Sequence, residues 1–157
     1  MKTPSLNELK QELLTLPPKK VIELCLRLAK FKKDNKELLS FLLFDADNEH
    51  GYVESIKQEI AERFAELPHS TWFHTKKSLR SILRLITKYS KHFAARESEV
   101  EIRLQFCTNM KALASHFPYN QAFSNMYQQQ IKKLWTLTEL VHEDIRFDYK
   151  RQIEHLL

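Results

Sequence analysis

The 157-residue sequence contains one glycine, Gly51, and neither an Asn-Gly nor an Asp-Gly pair. Two-residue hairpins rely on such pairs, so a sheet of hairpins has no turns to build with. The same scarcity excludes a P-loop and a dinucleotide fingerprint, which need several glycines to bring backbone close to phosphate. No Gly-rich elbow presents a nucleophilic serine. Cysteine is scarce as well. Cys25 and Cys107 lie far apart and show no Cys-x-x-Cys spacing, which speaks against a thiolate metal site. Both fall on apolar faces of expected helices, where cysteine behaves as a small hydrophobe. Reduced thiols fit a cytoplasmic location. The longest apolar stretch, LLSFLLF from Leu38 to Phe44, is far short of the roughly 20 residues that span a bilayer. The opening MKTPSLNELKQELL interrupts its apolar positions with Asn7, Glu8 and Lys10, and does not read as a signal peptide.

One further scarcity is local. The chain has 20 acidic residues, yet none occurs from Leu67 through Arg96. Residues 1–66 carry 11 basic and 12 acidic side chains, a balance of −1. Residues 67–96 carry seven and none, a balance of +7. Residues 97–157 carry seven and eight, again −1. The whole basic excess therefore sits in one short segment, an asymmetry that can mark a partner surface.

What is present is helical pattern. Scarce glycine with abundant Leu, Lys and Glu favours helices joined by short turns. Ser5 and Glu8 form a capping box that opens a helix to about Leu16. Pro17-Pro18 ends it and starts the next. The stretch from Lys19 to about Lys32 is apolar nearly all round, through Val21, Ile22, Leu24, Cys25, Leu26, Leu28 and Ala29. That pattern predicts a helix central to the core. Asp34 and Glu37 suggest a second capping box, opening a helix to about Asp45. FDADNEHG reads as a break. Tyr52 to Glu66 repeats Val53, Ile56, Ile60 and Phe64 at steps of three and four. A basic helix follows Leu67-Pro68 and runs to about Phe93. Ser98 and Glu101 are expected to cap another, reaching about His116 with Val100, Leu104, Cys107 and Leu113 inward. Gln121 to Leu157 holds no Gly or Pro, and fits one long helix or two with a kink near His142. The expected fold is all-α: a single domain, residues 1–157, of six to eight helices packed as antiparallel hairpins.

KKVIELCLRLAKF from Lys19 and KKSLRSILRLITKY from Lys76 share Lys-Lys and Leu-Arg-Leu at matching places. A third Lys-Lys, Lys132-Lys133, follows at a similar interval. A true repeat would give stacked HEAT or armadillo hairpins; without one, an irregular helical bundle is expected. LPPKKVIELCLRLAKFKKDNKELLSFLLF, Leu16 to Phe44, resembles the opening of small uncharacterised all-helical bacterial proteins. The resemblance covers under a fifth of the chain and implies a cytoplasmic bacterial protein, with no activity or functional residue to carry over.

Within the basic helix, Lys77, Arg80, Arg84, Lys88 and Lys91 step by three, four, four and three, so they form one stripe along one face. Leu79, Ile82, Leu83, Ile86, Tyr89 and Phe93 occupy the other. Like charges at i, i+4 destabilise a helix by roughly 0.2–0.5 kcal/mol a pair, so something is expected to offset the row. An internal match by Glu97, Glu99 and Glu101, or by Asp45, Asp47 and Glu49, is one solution. An acidic protein partner is a second, nucleic-acid phosphates are a third and an anionic membrane surface is a fourth, while a plainly solvated basic face needs no partner. Trp72 and Phe73 precede the stripe; Trp72 is a candidate interface anchor, although a hydrophobic staple or core closure is the favoured reading.

Metal and enzyme readings fare worse. Three pairs have the acid-x-x-His spacing of carboxylate bundles: Glu139 with His142, Asp47 with His50, and Glu66 with His69. Pro68 interrupts the last, the Asp47 pair sits in a break, and Glu139 is expected to face outward. No metal, cofactor or catalytic constellation is expected. The favoured reading is a non-catalytic interaction module that presents the basic stripe to an acidic protein, without membrane insertion. The alternative is sequence-independent nucleic-acid binding through the same stripe.

Overall fold

Ser5 starts the first helix as its spacing predicts. The Glu8 carboxylate accepts from the Ser5 amide at 2.6 Å and from its hydroxyl at 2.8 Å, while Ser5 Oγ accepts from the Glu8 amide at 3.3 Å. These bonds, the amide's foremost, hold Glu8 below the usual carboxylate range. The structure is a computed structural model describing residues 3–68 and 71–157, and no strand occurs among the described residues. The chain divides into two compact units, residues 1–44 and residues 45–157.

The first unit contains α1 (Leu6–Thr15), α2 (Pro18–Phe31) and α3 (Lys33–Ser40). Pro18 occupies the first turn of α2, where its missing N–H has no partner to lose. α2 and α3 pack together, and the Asn35 side chain donates to the Leu28 carbonyl at 2.8 Å. None of these three helices buries a residue. This corrects the expectation that the Lys19–Lys32 segment is central: Ile22, Leu26 and Phe31 are exposed, and Leu28 is 63% exposed. An all-round apolar helix needs neighbours on every side, and within its unit α2 has chiefly α3. The second expected capping box is also absent. α3 begins at Lys33 with no side-chain cap, which places Asp34 inside its first turn.

The second unit holds α4 (Glu49–Ala65), α5 (Trp72–Ser90), α6 (Arg96–Leu113), α7 (Gln121–Thr138) and α8 (Glu143–Glu154). Asn48 caps α4 by accepting from the Gly51 amide. Val53, Ile56, Ile60 and Phe64 are buried, as their spacing predicts. The central helix is α6, which packs against α4, α5 and α7 and buries ten residues. Val100, Leu104, Cys107 and Leu113 point inward as expected. Its start differs from expectation. α6 opens at Arg96, and Ser98 lies within it, buried, donating its hydroxyl to Glu49 of α4. The same carboxylate accepts from the Ala94 and Ala95 amides at 3.3 and 3.4 Å, so an acid from another helix does the capping.

Gln121–Leu157 is two helices. His142 caps α8 by accepting from the Asp144 amide, and Arg146 Nη2 donates to the Glu139 and Val141 carbonyls at 3.0 Å. The C-terminal turn is tied down by Tyr127, donating to the Leu156 carbonyl at 2.8 Å, and by Lys111, donating to His155 at 2.6 Å. The three segments aligned as a possible repeat occupy unlike settings. α2 buries nothing, α5 buries Thr75, Leu79, Ile82 and Ile86, and Lys132-Lys133 falls late in α7. A bundle around α6 describes the second unit better than a stack of equivalent hairpins.

The two cysteines differ sharply. Cys107 is buried, and desolvation pushes its thiol to about 12 against the opposing pull of Arg103. Cys25 is exposed, which corrects the expectation of an inward cysteine on α2. Because the thiolate is the nucleophile, a disulfide-exchange reagent should modify one thiol per folded chain promptly and the second only in denaturant. Prompt reaction of both thiols, or of neither, would contradict these placements.

Candidate functional site

α5 is sharply amphipathic, and its two faces separate as the sequence predicts. Leu79, Ile82 and Ile86 are buried, while Leu83, Tyr89 and Phe93 pack partly buried against the core. Tyr89 donates to Glu59 of α4 at 3.2 Å, and Tyr52 of α4 lies 3.1 Å from His92 Nδ1. These contacts fix the rotation of α5, and that rotation places the stripe outside.

Lys77, Arg80, Arg84 and Lys91 are exposed. None of the four makes an ion pair with a described residue. Lys88 is half-buried and engaged, with its ammonium 5.1 Å from the centre of the Tyr89 ring. From Lys77 to Lys91 the row spans about 21 Å at 1.5 Å per residue. Three of the acids expected to match it are engaged elsewhere. Glu49 caps the start of α6. Glu99 holds Arg103 at 2.8 Å and Arg96 at 3.8 Å. Glu101 faces Lys57 at 3.7 Å and accepts from Tyr149 at 3.4 Å.

The aromatic residues before the stripe part company. Trp72 is partly buried, edge-on to Phe117 at 5.5 Å and to Phe123 at 5.8 Å, so it closes the core. Phe73 is 75% exposed. It stands four residues before Lys77 and so on the same face, making it the aromatic end of the stripe. Of the two, the sequence offered Trp72 as the possible anchor, with core closure the favoured reading, and core closure is what Trp72 does. The signal for Phe73 was available in the four-residue step.

Lys57, Glu101, Asp148 and Tyr149 line a cleft of about 430 Å³ that contains no histidine. Burial, followed by Glu101, pushes Tyr149 to about 12. The hydrogen bond to Glu54 raises Lys57. Both groups are moved away from neutrality, opposite to what a general acid or base at pH 7 needs. Among the described residues the acid-x-x-His pairs do not converge either. Glu139 is exposed and bound to Lys150 at 2.6 Å, which keeps it below the usual carboxylate range. His142 is occupied as the α8 cap. His69 lies outside the described residues. No group of three His, Cys, Asp or Glu side chains suited to a metal occurs among the described residues. None of the described helices is long and apolar enough to cross a membrane. No family model matches the chain, and no curated protein or solved structure matches it significantly.

Proposed function

We propose that this protein is a non-catalytic interaction module whose α5 stripe receives an acidic segment of a protein partner. The observation that carries the reading is the row of four exposed cations without an ion-pair partner among the described residues, ending in the exposed Phe73. A row about 21 Å long suits one acidic helix or strand lying along it. Phe73 would take an apolar side chain at one end, and the cations would steer the approach and set the register. Nucleic acid is the second reading, since cations 5–6 Å apart also suit phosphates. It is less favoured because the aromatic stands at one end only, whereas single-strand binding uses aromatics interleaved with cations. Two free cysteines, one of them exposed, support a reducing cytoplasmic setting.

The test is fluorescence anisotropy with a Glu-rich helical peptide carrying one terminal Leu, and with mixed-sequence duplex DNA, each across a salt series. We expect peptide binding that weakens with salt, falls at least roughly tenfold in Arg80→Glu/Arg84→Glu, and weakens in Phe73→Ala. Duplex binding with a log–log salt slope near −4, and no peptide binding, would hand the stripe to nucleic acid. Binding of neither probe at low salt would overturn both readings.

A further inference from the structure

Beyond the stripe, the cations gather a second time, around a hollow. The end of α5, the start of α6 and Lys133 of α7 enclose a cleft of about 480 Å³. Lys91, Arg96, Arg103 and Lys133 line it, with Glu99 the single carboxylate, so the lining carries +3. Lys91 and Lys133 are exposed and make no ion pair with a described residue. Arg96 reaches Glu99 only at 3.8 Å.

Arg103 is different in kind. Its side chain is 5% exposed, its Nε donates to Glu99 Oε1 at 2.8 Å, and its Nη2 lies 2.8 Å from the same oxygen as an ion pair. Glu99 itself is 10% exposed. The guanidinium is therefore locked in position before any ligand arrives. Its planar fork is the geometry that suits a tetrahedral oxyanion. Two exposed lysines and an arginine paired only at 3.8 Å stand around one arginine held by Glu99. That combination gives preorganisation at the wall and adaptability at the mouth. Phe93 and Ala94 supply a less polar side to the same hollow. The volume lies within the range of small-molecule sites and exceeds what a lone phosphate fills.

We propose that this cleft binds a small phosphate-bearing anion. Arg103 and Arg96 would hold the phosphate, Lys91 and Lys133 would close over it, and any organic group would rest toward Phe93. The site shares only Lys91 with the stripe, so it stands whether or not the stripe takes an acidic protein.

The experiment is isothermal titration of the full chain with inorganic phosphate and with phenyl phosphate, using acetate and citrate as carboxylate controls at matched ionic strength. We expect phosphate to bind with a Kd near or below about 1 mM, and acetate and citrate to bind far more weakly. Arg96→Ala/Lys133→Ala should weaken phosphate at least roughly tenfold, while Arg80→Glu/Arg84→Glu leaves it nearly unchanged. Tighter binding of phenyl phosphate than of phosphate would assign an organic phosphate. Equal binding would assign the free anion, and either outcome keeps the site. Three results would overturn it: no phosphate binding, citrate binding as tightly as phosphate, or equal loss in the stripe variant and the cleft variant. Arg103 is left intact in these variants because its removal strands Glu99.

Discussion

Glu99→Ala should lower the stability of the α4–α8 unit by about 3–5 kcal/mol, the range for breaking one side of a buried ion pair. Glu99 and Arg103 stand four residues apart on the most enclosed helix, with side chains 10% and 5% exposed. The attraction between them is largely offset by the desolvation of both charges. Removing the carboxylate alone leaves a largely buried guanidinium that keeps its charge and loses its acceptor. Replacing both partners, as in Glu99→Leu/Arg103→Met, should recover most of the loss, because apolar side chains of similar volume need no compensation. Urea unfolding followed by tryptophan fluorescence reads this directly, since Trp72 and Trp135 both belong to residues 45–157. A single variant within about 0.5 kcal/mol of the parent would show that Arg103 is solvated, and would also remove the fixed wall of the proposed anion cleft.

That pair also explains what the sequence conceals. Helical class, the buried faces of α4 and α5, and the outward stripe follow from spacing alone, because period 3.6 sorts side chains by face whatever the neighbours are. Which helix lies at the centre does not follow. RESEVEIRLQFCTNMKAL shows an inward face in its spacing, but its charged first half hides its centrality until Glu99 and Arg103 are seen to pair inside. PKKVIELCLRLAKF reads as a core helix, yet buries nothing. Centrality is set by how many neighbours the chain path brings to a helix, and composition only bounds it. Caps fail for a related reason. Ser98 has the right partner three residues on, but Glu49 reaches across from α4 and takes both its hydroxyl and the orphan amides nearby. The stripe was legible as a stripe; its Phe73 end needed the same four-residue step carried one turn further back. The cleft was not legible, since Lys133 joins it from α7 while its other cations come from the end of α5 and from α6.

The contrast between α2 and the true core gives the second large effect. Leu134→Ala should cost about 2–5 kcal/mol, and Leu28→Ala less than about 0.5 kcal/mol. Leu134 is fully buried in α7, so truncation removes the transfer energy of three carbons and leaves a cavity that close-packed neighbours fill only in part. Leu28 has the same chemistry and sits in a helix of richer apolar composition, but most of its surface already meets solvent. Helix propensity does not confuse the comparison, since Leu→Ala is nearly neutral or slightly favourable in both helices. Far-UV circular dichroism in urea covers both units and is the appropriate signal. If Leu28→Ala costs as much as Leu134→Ala, the apolar face of α2 is covered in solution by something that takes it out of water, and the sequence's first reading of that helix as a core element would be right about its energetics. If the two differ as expected, the stability of this protein resides around α6, and the leucines of α2 are free for another use.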